Sequence, residues 1–202
     1  MDWTAILTRA GCSQPIVQRW APVFAVEAAP ARFSLGQREI DEFLGQILHE
    51  SAMLTAIVEN LTYSTPERLC VVWPKRFPTT AHAAPYVRNP EALGDKVYGG
   101  RMGNISPGDG YKYRGRGCIM VTGRANYRTT GQALGLDLEG KPELLENPAI
   151  ALRAAVAWWE GHIPDKVLGD ADIVAETRLV NGGTVGLAHR QLVTNAARQA
   201  LA

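Results

Sequence analysis

A mainly α-helical fold is predicted for this chain by three features of its sequence. Apolar residues recur at helical spacing on both flanks, polar–proline pairs mark helix starts, and alternating strand patterns are scarce. Residues 37–54, QREIDEFLGQILHESAML, put Ile40, Phe43, Leu44, Ile47, Ser51 and Leu54 on one stripe, which predicts a helix across them. Thr65-Pro66-Glu67 and Asn89-Pro90-Glu91 each read as an N-cap followed by proline at the first helical position. Six of the twelve prolines fall between Pro66 and Pro107, and nine of the twenty glycines between Gly94 and Gly123, so the middle third should be short helices, turns and at most a small β-hairpin. A further helix is predicted at 123–134, stopped by Gly135. Residues 147–160, NPAIALRAAVAWWE, repeat the Asn-Pro start and are apolar nearly all round, as a central buried helix is; 186–201 is amphipathic. With 202 residues, no repeats and no visible linker, one domain over 1–202 is expected, its core divided into two lobes about a cleft.

Composition excludes several classes. Lysine and arginine total 21 against 20 acids, so no global field calls for nucleic acid or a membrane surface, although local patches escape that argument. No apolar run reaches the 18 residues needed to span a bilayer. The start, MDWTAILTRAGCSQPIVQRW, lacks the basic and then apolar pattern of an export signal. Three cysteines, Cys12, Cys70 and Cys118, are odd in number and share no CxxC spacing, which speaks against disulfides and zinc and for a reducing cytoplasm.

The stretch ILHESAMLTAIVENLTYS, residues 47–64, is mostly apolar yet carries Glu50 and Glu59. On a helix, Glu50 falls at the edge of the buried stripe and His49 on the opposite side. Partial desolvation there favours a protonated carboxyl, the state a general acid needs. An unbroken helix would set Glu59 about 13.5 Å further along and on the other face. The helix is therefore expected to end near Leu54 and the chain to fold back, bringing the carboxyls to the roughly 6.5–9.5 Å of an inverting glycosidase. The plainer reading pairs Glu50 with a buried arginine and leaves Glu59 solvated. His49-Glu50 fails as a zinc motif, because HExxH needs histidine where Met53 stands, and His82, His162 and His189 have no metal-like spacing. No metal or cofactor is expected.

Residues 98–128, YGGRMGNISPGDGYKYRGRGCIMVTGRANYR, combine glycines that admit close backbone approach with Tyr98, Tyr111, Tyr113 and Tyr127, whose rings stack and whose hydroxyls bond. Thr122, Arg124 and Asn126 add polar groups at a helix start. A phosphate loop is excluded: GxxxxGK[ST] is absent, and a GxGxxG from Gly115 would need glycine at Met120. An RNA-binding reading of Lys112, Arg114, Arg116, Arg124 and Arg128 sits poorly in ordered sequence within a neutral chain. Cys118, flanked by Ile119, Met120 and Val121, reads as a buried inert thiol rather than a nucleophile, and GxSxG is absent. A carbohydrate cleft fits best; a glycine-rich turn with ion-paired arginines is its structural alternative.

Together, HES, VENLTYS, WPKRF, VRNPEALGDKVYGGRMGN, GDGYKYRGRGCIMVTGRANY and VNGG run in order from about residue 40 to 190 and resemble glycoside hydrolase family 19, in its bacteriophage endolysin branch and related to the family 19 chitinases. The resemblance implies a lysozyme-like, two-lobed helical domain with a substrate groove and no separate wall-binding module. It implies Glu50 as general acid, Glu59 as general base and Thr122 as a holder of the attacking water. It implies Asn126 and Asn181 as substrate-binding residues and Arg190 as a supporting cation; beside them, Tyr98, Tyr113 and Tyr127 are read as substrate-binding from their place in the cleft segment, and Arg116 as a second supporting cation. Inversion without a metal or covalent intermediate is implied too. Met120 departs from the family's frequent glutamine, which puts a substrate hydrogen bond in question.

The expected function is that of a peptidoglycan hydrolase cutting the β-1,4 bond between N-acetylmuramic acid and N-acetylglucosamine. A chitinase, or an inactive glycan-binding protein, is the alternative. The expected partners are peptidoglycan strands, with neither nucleic acid nor membrane insertion. A monomer is expected, held in the host bacterial cytoplasm until a holin or similar protein opens the way to the periplasm.

Overall fold

The computed structural model describes residues 1–169 and 171–202. In chain order its helices are α1 (Trp3–Arg9), α2 (Gln14–Glu27), α3 (Ile40–Glu50), α4 (Pro66–Val72), α5 (Thr80–Ala83), α6 (Pro90–Tyr98), α7 (Asp109–Lys112), α8 (Arg124–Leu134), α9 (Pro148–His162), α10 (Asp165–Gly169), α11 (Ile173–Asn181) and α12 (Leu187–Leu201). Extended pairing among the described residues is limited to two single bridges, Val58 with Arg116 and Arg116 with Val121. The caps read from sequence form as expected. Thr65 Oγ1 accepts from Arg68 N–H, Asn89 Oδ1 from Ala92 N–H, and Asn147 Oδ1 from Ala149 N–H at 2.9 Å.

The chain divides into two compact units. Unit 1 comprises Met1–Ile57, Gly117–Met120 and Glu143–Ala202; unit 2 comprises Val58–Arg116 and Val121–Pro142.

In unit 1, α12 lies along α3, α1 packs on α2 and α12, and α2 packs on α9. The predicted stripe forms the core: Ile40, Phe43, Leu44 and Ile47 are fully buried, and Phe43 meets Trp159 edge-on at 5.6 Å. The α3–α12 approach depends on a missing side chain. A Cβ on Gly45 would lie 2.0 Å from Thr194 Oγ1 and 3.0 Å from the Arg190 carbonyl, closer than real contacts allow.

Unit 2 is built from shorter pieces around Leu61, Leu69, Phe77, Ala83, Leu93 and Val97, with Tyr63, Trp73 and Tyr86 against them. Its glycines let backbones touch where α6 meets α7: a Cβ on Gly94 would sit 2.7 Å from Tyr111 Cα. Arg124 and Arg128 converge on Glu139, at 3.1 and 2.7 Å, and tie the start of α8 to the loop after it.

Candidate active site

Glu50 is the last residue of α3, and Ser51 dictates that ending. The Ser51 hydroxyl donates back to the Ile47 carbonyl (2.7 Å) and accepts from the Leu54 N–H (3.0 Å), offering the backbone a turn in place of more helix. Ala52, Met53 and Leu54 follow with left-handed φ of 47°, 61° and 63°. That conformation costs a non-glycine residue roughly 1–2 kcal/mol, and residues held so cluster at functional sites. The helix predicted to reach Leu54 thus stops four residues earlier and does not run through Glu59.

A carboxylate at a helix C-terminus meets the negative end of the dipole, and Arg190 offsets it. Fully buried, Arg190 pairs through Nη2 with Glu50 Oε1, donates through Nη1 to Gln46 Oε1 at 2.6 Å, and through Nε to the Val185 carbonyl at 3.3 Å. The Glu50 side chain keeps 22% exposure. Asn181 closes α11 in an exposed turn, where its Oδ1 accepts from Gly183 N–H (3.0 Å) and its Nδ2 donates to the same Val185 carbonyl (3.4 Å). The NGG turn and the arginine that holds Glu50 therefore share an acceptor.

His49 and His189, which sequence spacing leaves unrelated, stand with Nδ1 atoms 3.2 Å apart. The His49 ring lies against Gly186, where a Cβ would fall 2.1 Å from it. Burial and the Arg190 charge push the His49 imidazole below its ordinary range. Among the described residues no three His, Cys, Asp or Glu side chains group as metal ligands.

In unit 2, Glu59 lies against the Gly115 backbone. Its N–H donates to the Gly115 carbonyl (2.8 Å), and its Oε2 accepts the Gly115 N–H in return (3.0 Å). Tyr98 donates its hydroxyl to Oε1 at 2.6 Å. Burial and the Glu59 charge raise the Tyr98 phenol far above its usual range, so it remains a donor. Each carboxyl oxygen keeps lone pairs for a water. Tyr98, expected to bind sugar, is thus first a partner of Glu59.

Thr122 and Asn126 are brought together at the start of α8, where Asn126 Nδ2 donates to the Thr122 carbonyl (2.8 Å) and the Asn126 side chain is exposed. Asn104, which carries no sequence signal, braces this corner: its Nδ2 donates to the Tyr98 carbonyl (3.0 Å) and its Oδ1 accepts from Arg124 N–H (2.8 Å).

Two expected sugar-binding residues are corrected. Tyr113 and Tyr127 are fully buried and pack against each other at 5.4 Å, so neither ring offers a face to a ligand. Their hydroxyls donate to the Glu139 and Arg114 carbonyls. Arg116 is buried and donates to the Lys112 carbonyl (2.7 Å) and the Tyr127 hydroxyl (3.0 Å), which makes it a brace of the glycine–arginine segment. Burial pushes the fully enclosed Cys118 thiol far up, in keeping with an inert role. Met120 is half-buried at φ 54°.

The fold is helical, and Glu50 in unit 1 and Glu59 in unit 2 are each held by their own donors. The family model described as class I chitinase, glycoside hydrolase family 19, matches residues 21–178. A family 19 glycosyl hydrolase domain-containing protein of Haemophilus influenzae is 36% identical over 151 residues, which are 73% of this chain and 72% of that protein. The chain belongs to glycoside hydrolase family 19. Chitinase 8 of Oryza sativa subsp. japonica is 37% identical over 91 residues, only 35% of each chain. Chitinase C of Streptomyces griseus superposes over 98% of this chain and 93% of its own with a TM-score of 0.62, at 18% identity. The family 19 class IV chitinase of Zea mays does so over 100% and 92%, with a TM-score of 0.61, also at 18% identity. These two likenesses speak for the fold.

Sequence reading missed the residues behind Arg190. Gln46 stands one turn before Glu50 on the same face, a spacing that could have revealed it. Glu176 and Thr177, 0% exposed on α11, receive the Gln46 amide and had no such signal.

Proposed function

We propose that this family 19 hydrolase cleaves the β-1,4 bond between N-acetylmuramic acid and N-acetylglucosamine of peptidoglycan, with inversion. The observation that carries the choice of polymer is the segregation of charge. Unit 2 holds twelve lysines and arginines against seven acids, a net of +5, while unit 1 holds nine against thirteen, a net of −4. Within unit 2, Arg114 stacks on Tyr111 at 4.2 Å, Arg101 binds the Val97 carbonyl, and the Arg68 charge reaches Tyr63. None of the three has a carboxylate partner among the described residues. Peptidoglycan carries lactyl and peptide carboxylates; chitin carries no charge. A cationic surface complements the first polymer and gains nothing from the second.

In the mechanism, Glu50 gives a proton to the glycosidic oxygen from Oε2, and the Arg190 guanidinium at Oε1 receives the charge that appears. Glu59, oriented by Tyr98 and the Gly115 N–H, takes a proton from the attacking water, which the Thr122 hydroxyl helps to hold. Asn126 and Asn181 bind sugar amides. No covalent intermediate forms. The enzyme acts as a monomer and reaches the wall from the host cytoplasm through a lesion made by a holin-like protein.

The second reading, a chitinase, is favoured by the names of the plant relatives. The test sets loss of turbidity of outer-membrane-stripped bacterial cells beside release of products from chitin oligosaccharides, with mass spectrometry of digested peptidoglycan to identify the bond cut. Glu50→Gln is expected to lose at least about 10²-fold in activity. Muropeptides with new N-acetylmuramic acid reducing ends support the proposal; products from chitin alone overturn it. Binding with no turnover by either form would mark a glycan-binding protein.

A further inference from the structure

Along α3, Glu42, Gln46 and Glu50 recur every four residues, and along α12 so do Arg190, Thr194 and Arg198. The two rows meet as one polar seam inside unit 1. At one end Arg198 Nε pairs with Asp41 Oδ2 at 2.5 Å and its Nη2 lies 3.5 Å from Glu42 Oε1. At the other, Arg190 joins Gln46 to Glu50. Glu176 reaches the middle from α11, where its Oε2 receives the Gln46 amide at 3.5 Å; Thr177 Oγ1 accepts the same amide at 3.2 Å.

Glu42 and Glu176 are 2% and 0% exposed, and their carboxyls face each other. Among the described residues, no N–H or hydroxyl donor reaches Glu42 Oε2 or Glu176 Oε1. Two bare carboxylates in contact and out of water are strongly disfavoured, whereas one proton between them satisfies both orphan oxygens.

We propose that Glu42 and Glu176 share a single proton and, through Gln46 and Arg190, act as positioning residues for Glu50. The inference rests on Glu50 being the general acid. Burial first, then the facing carboxyl and Asp41, raise Glu42 well above the ordinary carboxylate range, with Arg198 opposing. Burial also raises Glu176, with Asp41 and Asp172 adding to the effect. A proton shared between them leaves the pair with one negative charge instead of two. While it is there, the Glu176 end of the seam carries one negative charge. The Gln46 amide then keeps its N–H groups toward Glu176 and Thr177 and its carbonyl toward Arg190. Loss of the proton adds a second negative charge behind Gln46, which draws the Arg190 guanidinium away from Glu50.

The test compares the full chain with Glu42→Gln, an uncharged isostere able to donate to Glu176, with Glu42→Ala, and with Glu176→Gln as a second way to neutralise the pair. The folded pair holds more protons than the unfolded chain. The pair's contribution to stability is therefore greatest below the ordinary carboxyl range and is lost as pH rises through its raised titration. The melting temperature of the wild type should drop over that window, and Glu42→Gln and Glu176→Gln should flatten the drop. Infrared spectra should contain a buried protonated-carboxyl band that both glutamine variants lose. On stripped cells or chitin oligosaccharides, whichever is turned over, Glu42→Ala should lower kcat by about tenfold to 10²-fold with little change in KM. Glu42→Gln should restore kcat and remove the alkaline fall expected of the wild type. Parallel stability profiles in wild type and both glutamine variants would overturn the shared proton. A folded Glu42→Ala with unchanged kcat and pH profile would overturn the positioning role. Full activity of Glu50→Gln would instead sink the assignment of Glu50, and the stability and infrared readouts separate that failure from this one.

Discussion

The two candidate carboxyls are supported by different chemistry, and their neighbours should respond differently to substitution. Glu59 is oriented by one phenol and one backbone N–H. Tyr98→Phe removes a single hydrogen bond to a charged group, a loss of about tenfold in kcat with KM nearly unchanged, measurable in steady-state turnover. Glu50 is held by a guanidinium that donates to three acceptors from a fixed fork, which a lysine cannot reproduce. Arg190→Lys should cost at least as much activity as Tyr98→Phe. Arg190→Ala, by emptying a fully buried site and stranding Gln46, should also lower stability on the order of 3 kcal/mol in urea denaturation. Sequence brought Glu50 and Glu59 forward because acids in an apolar stretch are costly and therefore conspicuous, and Arg190 only through the family resemblance. It misjudged Tyr113 and Tyr127 for the opposite reason. A tyrosine among glycines reads the same whether its ring faces a ligand or a second buried tyrosine.

At the scale of elements, the sequence made plain those helices whose starts carry chemistry. Thr65, Asn89 and Asn147 cap as their side chains dictate, and Asn147→Ala should cost about 1 kcal/mol. The end of α3 was less legible, since the stripe through Leu54 favours helix while the Ser51 hydroxyl redirects the backbone. The strip of contact between α3 and α12 was not legible at all, because it depends on Gly45, a residue that lowers helix propensity. Gly45→Ala drives a methyl into Thr194 and toward the Arg190 carbonyl, and overpacking of this kind costs about 1–3 kcal/mol. Because Arg190 moves with α12, activity should fall as well. Thr194→Ala removes the oxygen nearest to the new methyl, and that oxygen has no hydrogen-bond partner among the described residues to lose. The double substitution should therefore recover part of both losses, as a thermal melt and a turnover assay on the same samples would report. If it recovers neither, α3 and α12 are not held apart by that contact.

For the whole molecule, a net charge of +1 conceals one unit at +5 and another at −4. Total composition could not reveal this, because the division follows three-dimensional contacts: the chain leaves unit 1 after Ile57, re-enters it for Gly117–Met120, and returns after Pro142. The segregation makes salt the discriminating variable between the two polymers. Exposed charges act over about 10 Å at 0.1 M ionic strength and about 3 Å at 1 M. Lysis of stripped cells should therefore weaken steeply across that range, while turnover of uncharged chitin oligosaccharides should barely change. Reversing Arg101 and Arg114 to glutamate should weaken lysis at low salt and flatten its salt response, because these guanidiniums have no carboxylate partners among the described residues to lose. Both effects belong in KM rather than kcat, since a long-range field gathers substrate without touching the reacting bond. If cell lysis and chitin turnover decline in parallel with salt, or the reversed variant matches the parent at every ionic strength, the cationic unit does not select the polymer. The peptidoglycan reading would then lose the observation on which it stands.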